Sequence, residues 1–85
     1  MYPSVKHVKP LENYHLLLIF DNGEQRIFDA RPLFSFGKFC ELSSPSIFNA
    51  VRVSFDTIAW PIGLDIDPEY LYEHSKTLSP ETVAT

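Results

Sequence analysis

The side chains able to do chemistry in this 85-residue chain are few and scattered. Asp65, Asp67 and Glu69 stand at i, i+2 and i+4. Hard divalent cations collect several oxygen ligands, so such a run is a candidate calcium or magnesium site. The spacing is not that of an EF-hand loop, and one short cluster falls short of six ligands. The simpler assignment makes Asp67 the cap of a helix that opens at Pro68. Glu69 then answers the positive end of that helix, and Asp65 satisfies the preceding Trp60–Gly63 turn. His7, His15 and His74 form a metal or catalytic trio only if folding gathers them. Cys40, the sole cysteine, becomes a nucleophile beside a histidine. Its neighbours Phe39 and Leu42 point instead to a buried, inert thiol. There is no glycine-rich phosphate loop and no serine-centred nucleophile elbow. The expectation is a protein that is not an enzyme, with no catalytic residue, cofactor or metal site assigned.

Other residues have types suited to contact rather than catalysis. Arg31, two residues after Asp29, either reaches an anion or partner or forms a cap and a surface ion pair of little energetic weight. Trp60, Tyr70 and Tyr72 lie near the sheet end and the last helix, and aromatics with a polar handle are enriched at interfaces. Trp60 reads as core. Tyr70 and Tyr72 sit two apart on a helix, so one of them is expected to be exposed. Leu17 and Ile19 complete the interface candidates, for a reason that comes from the strand they occupy.

Those positions must be held by one domain, since 85 residues leave no room for two. The apolar fraction is 45%, with seven Phe, four Tyr and one Trp, enough for a packed core. A chain this short buries only about 60–65% of its unfolded surface, so a second copy covering leftover apolar area is an attractive arrangement. Net charge is −4 and unevenly spread. From Val53 onward Asp56, Asp65, Asp67, Glu69, Glu73 and Glu81 face only Lys76. Nucleic-acid binding calls for a basic face, which is not supplied. One cysteine permits no intrachain disulfide, the N-terminal residues lack an apolar signal core, and no run approaches the roughly 18 residues that span a bilayer. The expectation is a cytoplasmic protein without a membrane partner.

The organising stretch is 14–29, two apolar runs around Asn22-Gly23, a strong hairpin signal. In the strand 14–20, Leu16, Leu18 and Phe20 alternate with Leu17 and Ile19, so both faces are apolar and cover on both sides is expected. The register of the 24–29 strand depends on the turn. A two-residue type I′ turn pairs Leu18 with Ile27. A type I turn with Gly23 in a G1 bulge pairs Phe20 with Glu24 and puts Phe28 on the face of Leu16 and Leu18. The first is the commoner and is slightly preferred; the second gives the more coherent apolar face.

A first strand at 4–11 precedes this hairpin. After it, Asp29 and Pro32 open a helical or 3₁₀ turn anchored by Leu33, Phe34 and Phe36. Residues 37–42 connect to a short helix at 44–51, capped by Ser44 with Ile47 and Val51 on one face. Val51, Val53 and Phe55 then alternate inward, Asp56 turns the chain, and 57–60 returns as a strand. The last helix is expected over 68–75, with Leu71 and Leu78 on the core side, and 76–85 as a flexible tail. Together these predict a single α+β domain over 3–75. Its centre is an antiparallel meander of about five strands, in the order 1-2-3 followed by a 4-5 hairpin, with two or three short helices.

The pieces Leu18-x-Phe20-x-Asn22-Gly23-Glu24, Phe28-Asp29-x-x-Pro32-Leu33, Val51-x-Val53 and Trp60-Pro61-x-Gly63-x-Asp65-x-x-Pro68-x-x-Leu71-Tyr72 also occur together elsewhere. In that order they resemble the small bacterial domain of unknown function 2442, over about residues 3–75. Ile62 departs from the asparagine often found at that position. The resemblance implies an α+β meander fold and no activity. Relatives that stand alone, are fused to a helix-turn-helix domain, or are encoded beside another small protein imply a regulatory or antitoxin-like role. The resulting expectation is a protein-interaction module, forming a homo-oligomer or binding a small protein. The alternative is a small-molecule or divalent-metal sensor built on Asp65, Asp67 and Glu69.

Overall fold

The computed structural model describes residues 2–78. Its first three strands are β1 (Val5–Pro10), β2 (His15–Phe20) and β3 (Gln25–Asp29). Between β2 and β3 the amide of Gly23 donates to the Phe20 carbonyl at 3.0 Å and the amide of Phe20 to the Glu24 carbonyl at 2.9 Å. Gly23 has φ +90, a value open to glycine at little cost. This is the G1-bulge turn, so the type I′ register is corrected: Leu18 faces Arg26 and Leu16 faces Phe28. Burial decides between the two. In this register Leu16, Leu18, Phe20 and Phe28 share one face and all four are buried. A one-residue slip would turn Phe28 outward.

The remaining strands are β4 (Arg52–Ser54), β5 (Thr57–Trp60), β6 (Leu64–Asp65) and β7 (Lys76–Thr77). They make two antiparallel sheets, in the orders β1-β2-β3-β7 and β4-β5-β6. The 1-2-3 meander and the 4-5 hairpin are as expected; β6 and β7 are additions. Two residues each are too short to show a hydrophobic period, and β7 is held by backbone pairing to Arg26 and Ile27 with both its side chains exposed. Lys76 and Thr77 therefore belong to the sheet. The rest of the anticipated tail, from residue 79, lies outside the described residues. The amide of Val5 donates to the Asp56 carbonyl at 3.1 Å, which ties the β4–β5 turn to the start of β1.

Two short α-helices, α1 (Pro45–Phe48) and α2 (Pro68–Glu73), and 3₁₀ segments at Arg31–Ser35 and Gly37–Ser43 close one side of the core. Both α-helices are shorter than the sequence pattern suggests, and Ser44 sits at the cap position of α1 without a side-chain bond to the backbone. Trp60 is core, its indole donating to the Phe48 carbonyl at 3.0 Å. Burying so large a side chain stabilises only if its N–H finds a partner, as here. Thr57 is buried, with its hydroxyl donating to the Ile66 carbonyl at 2.6 Å.

Four side chains lie opposite to expectation. Phe36 is 62% exposed instead of anchoring its turn to the core, because it sits extended between two 3₁₀ segments. Phe55 is 99% exposed, because Ser54 pairs with Thr57 and the turn takes up Phe55 as well as Asp56. Its φ is +55, uncommon for a bulky L-residue. Cys40 is exposed rather than buried, on a 3₁₀ segment whose inward residue is Leu42. Leu78 is exposed beyond β7. The cover of β2 is also unequal among the described residues: Leu16, Leu18 and Phe20 are buried, while Leu17 and Ile19 on its outer face are half-buried. Among the described residues no helix is long and apolar enough to cross a membrane.

Candidate interaction surface

Residues Ala30 to Phe39 run as successive three-residue turns, with the amides of Leu33, Phe36 and Phe39 donating to the carbonyls of Ala30, Leu33 and Phe36 at 2.9–3.0 Å. The two 3₁₀ segments meet at an extended Phe36 and a Gly37 at φ +51, and this bend leaves Leu33, Phe36 and Phe39 along one wall. Opposite them the β6–α2 link supplies Asp65, Ile66 and Asp67, and α2 supplies Tyr70. These seven residues line a groove of about 370 Å³. Leu33 and Ile66 form its buried floor, Phe39 and Tyr70 are half-buried, and Phe36 is 62% exposed at the lip. No periodic signal in the sequence marks this wall, because it forms across the bend at Phe36 and Gly37.

The acids at the rim are placed by separate local causes. Asp67 caps α2, its Oδ1 accepting from the Glu69 amide at 2.8 Å. Asp65 pairs through its backbone with Ala59 in β5 and is exposed, and it does not satisfy the preceding turn, which closes from the Gly63 amide to the Trp60 carbonyl at 3.2 Å. Among the described residues no group of three or more His, Cys, Asp or Glu side chains is gathered to hold a metal ion. That includes the Asp65, Asp67 and Glu69 run.

Tyr70 stacks on His74 with centroids 3.9 Å apart. Beyond that stack lies a second, more polar hollow of about 330 Å³, lined by His15, Ile27, Asp29, Arg31, His74 and Lys76. Two of the three histidines thus meet there, while His7 lies across from Ile19 in β1. Asp29 accepts the Arg31 amide at 3.0 Å and grips its guanidinium from Nε at 3.0 Å and Nη2 at 2.8 Å. These bonds favour the carboxylate and hold its pKa down at about 2, while Asp29 in turn raises that of Arg31. Arg31 is more than half exposed, but its charge is already matched.

Neither tyrosine is fully exposed. Tyr72 faces inward, edge-on to Phe20 at 5.3 Å and Tyr2 at 5.4 Å, with the Arg26 guanidinium 3.9 Å from its ring centroid. Its hydroxyl donates to Glu24 at 2.8 Å. The Asn22 side-chain amide, donating at 2.6 Å, and then the Tyr72 hydroxyl keep the Glu24 carboxyl below the usual carboxylate range. Tyr72 is therefore part of the scaffold, and Tyr70 is the one that reaches the surface groove. Leu17 and Ile19 lie with Ile27 on the outer face of the sheet, where Leu17 and Ile27 are cross-strand partners.

Two small antiparallel sheets with short helices define a small α+β domain. The chain belongs to the DUF2442 family of proteins of unknown function, whose family model matches residues 5–77. No curated protein and no solved structure shows significant similarity to it.

Proposed function

We propose that this chain is a non-enzymatic protein-interaction module that seats an apolar side chain of a small protein partner in the groove between Phe36 and Tyr70. The groove is the observation that supports this reading: apolar walls from two separate elements, an exposed aromatic at the lip, and a volume suited to one anchoring side chain. An antitoxin-like role is its specific form. Co-expression with the product of a neighbouring gene tests it. Co-purification and growth rescue are expected with the native chain and are expected to be lost with Phe36→Asp, which alters an exposed position and leaves the core intact. Neither co-purification nor rescue with the native chain removes the antitoxin form. Self-association is the second reading, favoured by the half-buried stripe of Leu17, Ile19 and Ile27. Sedimentation that stays monomeric at high concentration removes it.

A further inference from the structure

We infer, resting on the reading of this groove as a docking site, that its occupant is a partner segment carrying an apolar side chain directly beside a cationic one. The walls, Leu33, Phe36, Phe39, Ile66 and Tyr70, are apolar, and among the described residues the only charges in the lining are the carboxylates of Asp65 and Asp67. Both are exposed, and Asp67 commits one oxygen to its helix while Asp65 has no side-chain bond among the described residues. The nearest base in sequence, Lys38, does not line the groove; its ammonium donates to the Ile62 carbonyl at 2.8 Å. An occupant that covered this rim with apolar or anionic groups would strip water from unpaired carboxylates, which is costly, whereas a cation beside the anchor matches them.

The chain has its own exposed aromatic knob in Phe55, so a second copy is the obvious rival. The residue beside that knob is Asp56, also exposed. Seating Phe55 in a neighbouring groove would bring a third carboxylate to Asp65 and Asp67, within an assembly of chains that each carry a net charge of −4. Like charges so placed oppose association. A cationic segment of a different protein is the better match.

The test uses the full chain, isotope-labelled, titrated with three acetylated and amidated tetrapeptides: Gly-Phe-Arg-Gly, Gly-Phe-Gln-Gly and Gly-Phe-Glu-Gly. The arginine peptide is expected to shift the amides of Phe36, Ile66 and Tyr70 saturably. Its affinity should be about fivefold above that of the glutamine peptide, the scale of a pair of exposed ion pairs, with the glutamate peptide weakest. Asp65→Asn with Asp67→Asn removes the charge while asparagine retains the cap, and should lower the arginine peptide to the level of the glutamine peptide. Equal saturable binding of all three peptides would overturn the cationic requirement and leave the groove reading standing. No shift at groove residues with any peptide would overturn both. Groove shifts that grow with protein concentration alone would identify a second copy as occupant and overturn the inference.

Discussion

Replacing Arg26 by methionine should cost this domain a large share of its stability, because Arg26 fastens the end of α2 to the sheet. It lies opposite Leu18 on the core face of β3, with its side chain only 15% exposed. Nη1 donates to the carbonyls of Tyr72 at 3.3 Å and Ser75 at 3.0 Å at the C-terminal end of α2, where the Tyr72 carbonyl also accepts from the Ser75 hydroxyl at 2.8 Å. Nε and Nη2 each lie 3.1 Å from Glu24, and the guanidinium covers the Tyr72 ring. Hydrogen bonds from a charged donor contribute about 1.5 kcal/mol or more each, and the cation–π contact about 1 kcal/mol. Methionine keeps most of the apolar stem and loses all of these, while Glu24 retains Asn22 and Tyr72. The two bonds to carbonyls set the size of the loss, while the Glu24 and Tyr72 contacts are offset by the desolvation of the guanidinium, a cost methionine does not incur. The expected loss is therefore about 3 kcal/mol, against a total of roughly 4–13 kcal/mol for a chain of this length. That corresponds to a fall in Tm of about 12–24 °C. Urea and thermal unfolding followed by circular dichroism measure it. Arg26→Lys, which keeps the charge without the planar fork, should fall between the two. A Tm for Arg26→Met within about 3 °C of the native chain would refute the argument, since the contacts would then be no better than those with water.

Phe55→Asn should stabilise the protein. The side chain has no burial to lose, and asparagine tolerates the positive φ that costs a bulky L-residue roughly 1–2 kcal/mol; a lowered Tm on thermal unfolding would contradict this. Acid sensitivity should run through Asp29. Its folded pKa, about 2, lies below the ordinary aspartate value of 3.8, so its contribution is complete above about pH 4 and is lost as pH falls toward 2. Arg31→Ala should flatten that acid limb while changing stability at pH 7 by less than about 1 kcal/mol, because the pair is largely exposed. An unchanged limb in urea titrations between pH 4 and 2 would count against the Asp29–Arg31 bond as its cause.

Local chemistry made much of this fold legible. Asn22-Gly23 marks the hairpin, Asp67-Pro68 marks the start of α2, and the alternation of Leu16, Leu18 and Phe20 marks a buried strand face, since each depends on residues a few positions apart. The candidate surface was legible only in part. Tyr70 was singled out and does line the groove, and the rim acids were noted as a group. Phe36 reads in the sequence as an anchor to the core, because an apolar residue in a connector looks the same whether it faces inward or walls a groove. Tyr72 could not be told from Tyr70, because the difference depends on Arg26 and Glu24, some 46 and 48 positions away.

By itself the sequence determined the α+β class, the hairpin, the capped last helix, the core role of Trp60 and the family, because these follow from short-range periodicity, turn residues and ordered motifs. Only the tertiary structure decided the bulged register of β3, the strands β6 and β7, the outward turn of Phe55, the exposure of Cys40 and the meeting of two distant segments at the groove. The reason is physical: register and pairing are settled by which side chains are buried together, and that depends on partners far apart along the chain.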